Sequence, residues 1–497
     1  MARQLRQDTT YKDTAFDPYS YSRGRWLDQN VRRRGGRRLD FNLDALLDVA
    51  IKCSNGARRE IVACEKREGG FNRVFIIDFD NGEVATLNYV KAKANVPVPR
   101  VLAWSSKPDG GLVGIEYIIM EHVSGVALKD IWSQMIELQH IEFIESLGKV
   151  MKGLCALNFG ALGSLYLNSA DKPKRTHPID ENYCIGPHCG RQSWGYNDDE
   201  TIEAAIPQGF QGPWKDLSCF FADLIHISKL TVDRRGSPQK EVEDLLQLLE
   251  TSKEILQALG KTTAFQESSI PLLFHPDLHA RNIFVDPNDP KQILGLIDWQ
   301  SAAIEPAFVP AVDTPDFAEE PLLDKTLDAD IAHDVSEMQD HAQRCKKTWA
   351  AMAFLCPKLG KATMLEPVLC RLAAGISSGY ADDGTALRSL LADMGKEWKG
   401  LGIPGVCPCQ PSEADEKLLN KELDQLESTQ RLRAHLARLL RCEPNGWIEE
   451  QRWDEVVPIY REQYAEFVSA CIVSREEDET EEDAKRKADV LWPFDLR

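Results

Sequence analysis

The chain has 497 residues, 43% of them hydrophobic, which is enough for two or three domains with a substantial core. A net charge of −19 and an isoelectric point near 5.1 argue against nucleic acid or an anionic membrane as principal partner. No apolar run is long enough for a transmembrane helix, Met1–Thr10 lacks the apolar stretch of a signal peptide, and 13 dispersed cysteines suit reduced thiols in a cytoplasmic or organellar compartment.

Taken in order, the first feature is a basic cluster of Arg32, Arg33, Arg34, Arg37 and Arg38. It lies late, contains two glycines and follows several aspartates, so a solvated surface loop is expected in preference to a mitochondrial targeting region. From Asp40 to Cys53, apolar residues including Leu43, Leu46, Leu47 and Ala50 recur at helical spacing, with Asp40 or Asn42 as cap. Ile61–Cys64 and Val74–Phe79 read as short strands, and Gly69, Gly70 and Asn72 lie between them in a hairpin. A helix over Glu83–Val90 follows, apolar along Val84, Leu87 and Val90.

Val96–Ala103, with Pro97 and Pro99, reads as an extended edge segment, and Ile115–Met120 as a buried strand ending at Glu121. Phe143, Ile144, Leu147, Val150, Met151 and Leu154 predict a helix over Ile141–Asn158, and Gly160–Leu165 a short strand after it. Asp171–Gly212, rich in Pro, Gly and Asn, reads as a long insertion. Its Cys184, His188 and Cys189, even with Cys407 and Cys409, lack zinc-ligand spacing, so structural thiols are expected there. Further helices are predicted over Phe220–Lys229, Val242–Leu259 and Ser412–Cys442, the last capped by Ser412. A charged helix over Arg475–Lys487 precedes Leu491–Phe494, which is expected to pack back on the protein.

The stretch from Leu272 to Gln300 carries the chemistry. His275, Asp277 and Asn282 stand in the order H-x-D-x-x-x-x-N, and Asp298 closes the apolar run Ile293–Ile297. Asn282–Val285 and Ile293–Ile297 read as two strands joined by the turn Pro287–Pro290, a hairpin that would bring Asn282 and Asp298 together. Phosphoryl transfer needs positioning and charge neutralisation more than covalent help. Asp277 would accept the acceptor hydroxyl's proton. The side-chain oxygens of Asn282 and Asp298 would hold Mg²⁺, a hard cation that prefers oxygen. His275 would brace the loop by hydrogen bonds. His275, Asp277 and His279 also spell H-x-D-x-H, but a two-metal hydrolase needs further ligands, and the chain has only 10 scattered histidines.

Leu273-Phe274-His275-Pro276-Asp277-Leu278-His279 through Asn282, with Ile297-Asp298-Trp299, resembles the aminoglycoside phosphotransferase family. Within it the likeness is to a large fungal branch, the altered inheritance of mitochondria proteins. Asp17–Tyr21 with Gly24-Arg25-Trp26, Glu68–Phe75 and Pro97-Val98-Pro99 carry the same likeness, which spans the chain from about Asp17 onward. The resemblance implies a protein-kinase-like α+β fold, with a small antiparallel-sheet N-lobe and a large, mainly helical C-lobe. It implies ATP and Mg²⁺ as cofactors. Gly69, Gly70 and Asn72 would then cradle the triphosphate, Glu83 would stand in the place of the lysine-pairing carboxylate, and Glu121 would lie in the adenine-binding hinge.

One departure bears on activity. The strand that should carry the phosphate-binding lysine is missing: Phe79-Asp80-Asn81-Gly82 runs straight into Glu83, and no Lys or Arg occurs between Arg73 and Lys91. A clean excision at a turn, with matching text on both sides, favours a skipped exon in the gene reading over a true deletion. Lys66, Arg67 and Lys91 are the nearby cations that could partly substitute. The expected organisation is an N-terminal extension (1–59), an N-lobe (60–123), a helical C-lobe with the catalytic loop (124–400) and a helical C-terminal extension (401–497). The expected activity is ATP- and Mg²⁺-dependent transfer to a small-molecule hydroxyl, in the cytoplasm or mitochondrion. The alternative is an inactive kinase-like binding or scaffold protein. Neither the acceptor nor the oligomeric state is legible.

Overall fold

The computed structural model describes residues 17–53, 64–68, 73–77, 85–105, 111–169, 172–189, 209–232, 239–311, 313–319, 332–378, 384–443, 445–475 and 479–494. They form an α+β fold, with small antiparallel sheets toward the N-terminus and a larger helical C-terminal region, consistent with a protein-kinase-like architecture. Among the described residues no helix is long and apolar enough to cross a membrane. The chain divides into two compact units, one of residues 1–80, 105–117 and 417–497, the other of residues 81–104 and 118–416.

The first unit joins the two ends of the chain. Strand Gly24–Trp26 pairs antiparallel with Trp447–Glu449, Arg25 opposite Ile448. Leu27, Leu436, Leu440, Ile448, Trp453, Val456, Tyr460, Trp492 and Phe494 close a separate apolar core. Tyr460 is fully buried, and its hydroxyl donates to the Phe494 carbonyl (3.0 Å) while accepting from Trp492 Nε1 (2.7 Å). Leu491–Phe494 thus packs back as its apolar content predicts. The hairpin of Cys64–Glu68 and Arg73–Ile77 belongs to this unit, and Asn42 caps helix Leu43–Cys53 by accepting the Ala45 N–H at 3.0 Å. The arginine cluster differs from the solvated loop expected of it. It contains a short helix, Asn30–Gly35, and its guanidiniums are engaged: Arg33 with Asp28 (3.0 Å), Arg34 with the Tyr21 carbonyl (3.1 Å), and Arg37 over the Trp26 ring (4.4 Å). An aromatic face, a carboxylate and a main-chain carbonyl receive these three charges, while Arg32 and Arg38 remain exposed.

The second unit is built around helix Glu137–Cys155, whose Phe143, Ile144, Leu147 and Leu154 are fully buried at the predicted spacing. Helices Leu217–Val232, Gln239–Leu259 and Ala332–Phe354 share its core, into which Leu272, Leu273, Ile283 and Leu296 of the catalytic stretch also point. Two expectations are corrected. Strand Tyr117–Met120 pairs with Val101–Ser105 in a two-stranded sheet, and Ile118 is half exposed rather than buried, because neither strand has a second partner among the described residues. Asp171–Gly212 is not loop throughout. Tyr183–Gly186 pairs with both His177–Pro178 and Ser164–Leu167, so backbone pairing overrides the turn-rich composition. The helix predicted over Glu83–Val90 is described over Ala85–Ala94, and Ser412 caps helix Glu413–Leu440 through reciprocal bonds with Asp415.

Candidate active site

The catalytic stretch is held at both ends by buried strands. Pro271–Leu273 pairs antiparallel with Ile304–Pro306, and a 3-10 turn over Ala280–Asn282 leads into strand Ile283–Val285. That strand pairs with Ile293–Leu296, Ile283 opposite Leu296, with an irregularity between Phe284 and Val285. Alternating burial of Ile283 and Val285 against solvent-side residues fixes which face each side chain takes.

Two hydrogen bonds tie the loop to the far end of the hairpin, and a third braces the loop itself. His275 is only 3% exposed; its Nδ1 accepts the Asp277 N–H (3.1 Å), so Nε2 carries the ring proton and donates to the Ile297 carbonyl (2.8 Å). Burial pushes the imidazole pKa down to about 4, so the ring is neutral near pH 7. The Ile297 N–H in turn donates to the Asn282 carbonyl at 3.0 Å. Ile297 therefore links His275 and Asn282, and its neighbour Asp298 adopts a left-handed conformation at φ 64°. Aspartate is one of the few residues that take this region at modest cost, and such conformations gather at functional sites.

Asn282 is buried, and its Nδ2 donates to both the Asp277 carbonyl (2.8 Å) and Asp277 Oδ2 (2.7 Å). Its amide hydrogens are thus spent on Asp277, which leaves Oδ1 as the side chain's remaining polar atom. The Asp277 carboxylate is two-thirds buried and takes Arg281 Nη2 at 2.7 Å on each oxygen. His279 stands between Asp277 (3.3 Å) and Asp316 (3.6 Å). Its hydrogen bond to Asp316 and the charge of both carboxylates raise the imidazole pKa, against partial burial. Partial burial pushes the Asp316 carboxyl up, but His279 and the Ala280 N–H (2.9 Å) prevail and hold it below its ordinary value.

The structure thus brings His275, Asp277 and Asn282 into one hydrogen-bonded cluster, with Asp298 next to the residue that joins it. Glu121 is engaged with Arg100 instead: Oε2 accepts the Arg100 N–H (3.2 Å), and the Glu121 N–H donates to the Arg100 carbonyl (3.3 Å). Gly69, Gly70, Asn72 and Glu83 lie outside the described residues. Lys91, one of the cations considered from the sequence as a substitute for the phosphate-binding lysine, donates its ammonium to the Val98 carbonyl at 3.1 Å. Arg281 and Asp316 were not singled out from the sequence. The i, i+4 spacing of Asp277 and Arg281 could have flagged the first; nothing local marks Asp316, which arrives from a separate loop. Away from this cluster, His188 faces Glu305 (3.3 Å) and the Cys189 thiol meets Ser164 Oγ (2.9 Å).

Residues 81–313 match the phosphotransferase enzyme family, APH. A subtelomeric hrmA-associated cluster protein of Aspergillus fumigatus is 28% identical over 304 residues, covering 49% of this chain and 58% of that protein. Altered inheritance of mitochondria protein 9, mitochondrial, of Scheffersomyces stipitis is 29% identical over 259 residues, covering 45% and 40%. The chain thus spans about half the length of the relatives it matches. Among solved structures, aminoglycoside phosphotransferase APH(3'')-Id from Streptomyces rimosus is 15% identical, with 65% of this chain and 99% of that one covered, at a TM-score of 0.29. By these sequence matches the chain is similar, at low identity and over about half its length, to the phosphotransferase enzyme family and to the fungal altered inheritance of mitochondria proteins.

Proposed function

We propose that the chain is an ATP- and Mg²⁺-dependent phosphotransferase acting on a small-molecule hydroxyl, in the cytoplasm or mitochondrion. The observation that carries this reading is the placement of Asn282: its amide nitrogen is fixed on Asp277, and its main chain is bonded to the residue before Asp298. Asp277 is the general base and takes the acceptor hydroxyl's proton. The neutral His275 orients Asp277 through the Asp277 N–H and ties the loop to Ile297. Asn282 Oδ1 and the Asp298 carboxylate are hard oxygen donors that suit Mg²⁺, which when bound would offset phosphate charge. For the nucleotide, Gly69, Gly70 and Asn72 are the proposed phosphate loop, Glu83 the carboxylate of the N-lobe helix, and Glu121 the hinge. The fungal relatives whose names carry "mitochondrial" support the organellar option.

Nucleotide titration followed by phosphate release from Mg·ATP tests this. We expect binding and slow hydrolysis, with Asp277→Ala lowering turnover by about 10²–10⁴-fold, the range for a lost general base. An Asp277→Ala protein with unchanged turnover would remove the proposed base. A second reading, an inactive kinase-like binding protein, is favoured by the absence of any Lys or Arg between Arg73 and Lys91 and by the engagement of Lys91 with Val98. Absence of both nucleotide binding and hydrolysis would select it.

A further inference from the structure

His279 follows Asp277 closely in the catalytic stretch, and Asp316 reaches it from a separate loop. The two are stapled to each other. The Asp316 N–H donates to His279 Nδ1 (3.3 Å), and Asp316 Oδ1 accepts the N–H of Ala280, the residue after His279 (2.9 Å). Asp316 itself is well anchored. It opens the 3-10 turn Asp316–Ala318, whose Phe317 and Ala318 are buried. The Phe317 ring packs against Phe143 of helix Glu137–Cys155, at 5.6 Å between ring centres, and against Trp349 of helix Ala332–Phe354, at 6.1 Å. The other ring nitrogen of His279, Nε2, stands 3.3 Å from Asp277 Oδ1. We propose that His279 and Asp316 are a positioning pair for the general base: Asp316 fixes the imidazole from the core, and the imidazole fixes the Asp277 carboxylate. The proposal rests on the reading of Asp277 as the base of a phosphotransferase.

The bonding decides what kind of role this is. A neutral imidazole has one donor and one acceptor nitrogen. Nδ1 accepts the Asp316 N–H, so the proton of the neutral ring is on Nε2; the imidazolium carries one there as well. In either state Nε2 offers Asp277 a proton and has no lone pair with which to take one. His279 therefore positions the base and does not relay its proton. The carboxylate needs such a partner, because it turns about its Cβ–Cγ bond unless both oxygens are held, and a misplaced reacting group is slow. Oδ2 is held by Asn282 Nδ2 at 2.7 Å. Arg281 meets both oxygens, but its side chain is half exposed. An acceptor hydroxyl arriving from solvent displaces that guanidinium and leaves His279 on Oδ1 and Asn282 on Oδ2 as the inner donors. Two groups, one in the loop and one tied to the core through Asp316, then set the plane of the carboxylate.

The test compares full-length variants with wild type in Mg·ATP turnover. His279→Leu, which keeps bulk but has no donor, should lower kcat about 10²-fold with KM for ATP unchanged, the loss expected of a misoriented reacting group. Asp316→Ala, which removes the anchor without touching Asp277, should also act on kcat and not on KM. His279→Gln, whose amide can reach the place of Nε2, should restore most of the loss; a merely structural role predicts no such rescue. Nitrogen-15 spectra of histidine-labelled wild type, taken at alkaline pH where the ring is neutral, should show His279 as the Nε2–H tautomer, assigned by its disappearance in His279→Gln. An active wild type whose kcat survives His279→Leu, or falls equally in His279→Gln, overturns the pair and leaves the phosphotransferase reading standing. The Nδ1–H tautomer overturns the pair whatever the activity. A wild type that neither binds nor hydrolyses Mg·ATP removes the phosphotransferase reading, and the pair's role with it. If His279→Leu does not fold, Asp316→Ala and the wild-type spectrum decide.

Discussion

The catalytic hairpin and the unit that joins the chain ends are held together in opposite ways. In the hairpin, the polar groups of His275, Asp277, Asn282 and Ile297 bond one another within a short stretch of chain, and strand pairing sets their register. In the other unit, Trp26, Trp453, Tyr460, Trp492 and Phe494 are gathered from both ends of the chain by aromatic burial, with arginines stacked on the outer rings. The contrast separates two jobs. Chemistry needs a few side chains at fixed angles, which local hydrogen bonds supply. Cohesion between distant segments needs area, which large rings supply.

The contrast breaks first at Tyr460. Removing its ring in Tyr460→Ala leaves a cavity in a small core and strands the Trp492 indole N–H, a loss of about 4 kcal/mol. Denaturant unfolding followed by limited proteolysis should show the N- and C-terminal segments released early, while fragments containing 272–300 stay protected. Simultaneous loss of both would mean that the two regions do not unfold independently.

His275 offers the next largest effect, this time in the hairpin. Its folded-state pKa near 4 lies below the ordinary value of about 6.5, so the unfolded chain binds the proton more readily. The sign follows: stability is unaffected above about pH 6.5, falls as pH drops, and the loss is complete near pH 4 at about 3 kcal/mol. The difference in unfolding free energy between wild type and His275→Gln, measured across that range, should therefore shrink as pH falls. A difference that stays constant with pH would show that the ring is not held neutral.

The same contrast explains what could be read without coordinates. The hairpin, the helix over Leu43–Cys53 and the Ser412 cap were legible because each is announced by spacing or a capping residue within a few positions. The pairing of Gly24–Trp26 with Trp447–Glu449 was not, since nothing in either segment names its partner across the chain. Ile118 was misread because its strand has the apolar content of a core strand but only one paired neighbour among the described residues. Strand Tyr183–Gly186 was hidden by surrounding turn-formers whose local preference is overridden by partners on both sides. Within the site, His275, Asp277 and Asn282 were legible from order and spacing, whereas Asp316 comes from a loop that carries no local mark.

Asn282→Ala sharpens the comparison from inside the cluster. It removes a buried side chain and both of its hydrogen bonds to Asp277, whose carbonyl keeps the His279 N–H and whose carboxylate keeps Arg281, so a loss of about 2 kcal/mol is expected from the two missing bonds. Denaturant melts of this variant should show destabilisation even where no nucleotide or metal is present, which would separate its structural part from any ligand role. A stability equal to wild type would mean that the loop is held by His275 and the strand register alone.

Arg281→Gln should have the smallest effect and is the most discriminating. Arg281 meets the same carboxylate as Asn282, at the same 2.7 Å, but its side chain is half exposed at 52%. A solvated ion pair of this kind contributes about 0–1 kcal/mol, because water screens the charge and the long side chain loses freedom in making the contact. If the cluster is braced from within, Arg281→Gln leaves stability within about 0.5 kcal/mol of wild type and reduces the salt dependence of unfolding. Asn282→Ala does neither. Equal losses for the two variants would place the anchor of Asp277 on its solvent side, and the loop would then depend on a surface charge rather than on the buried hydrogen bonds that join it to Ile297.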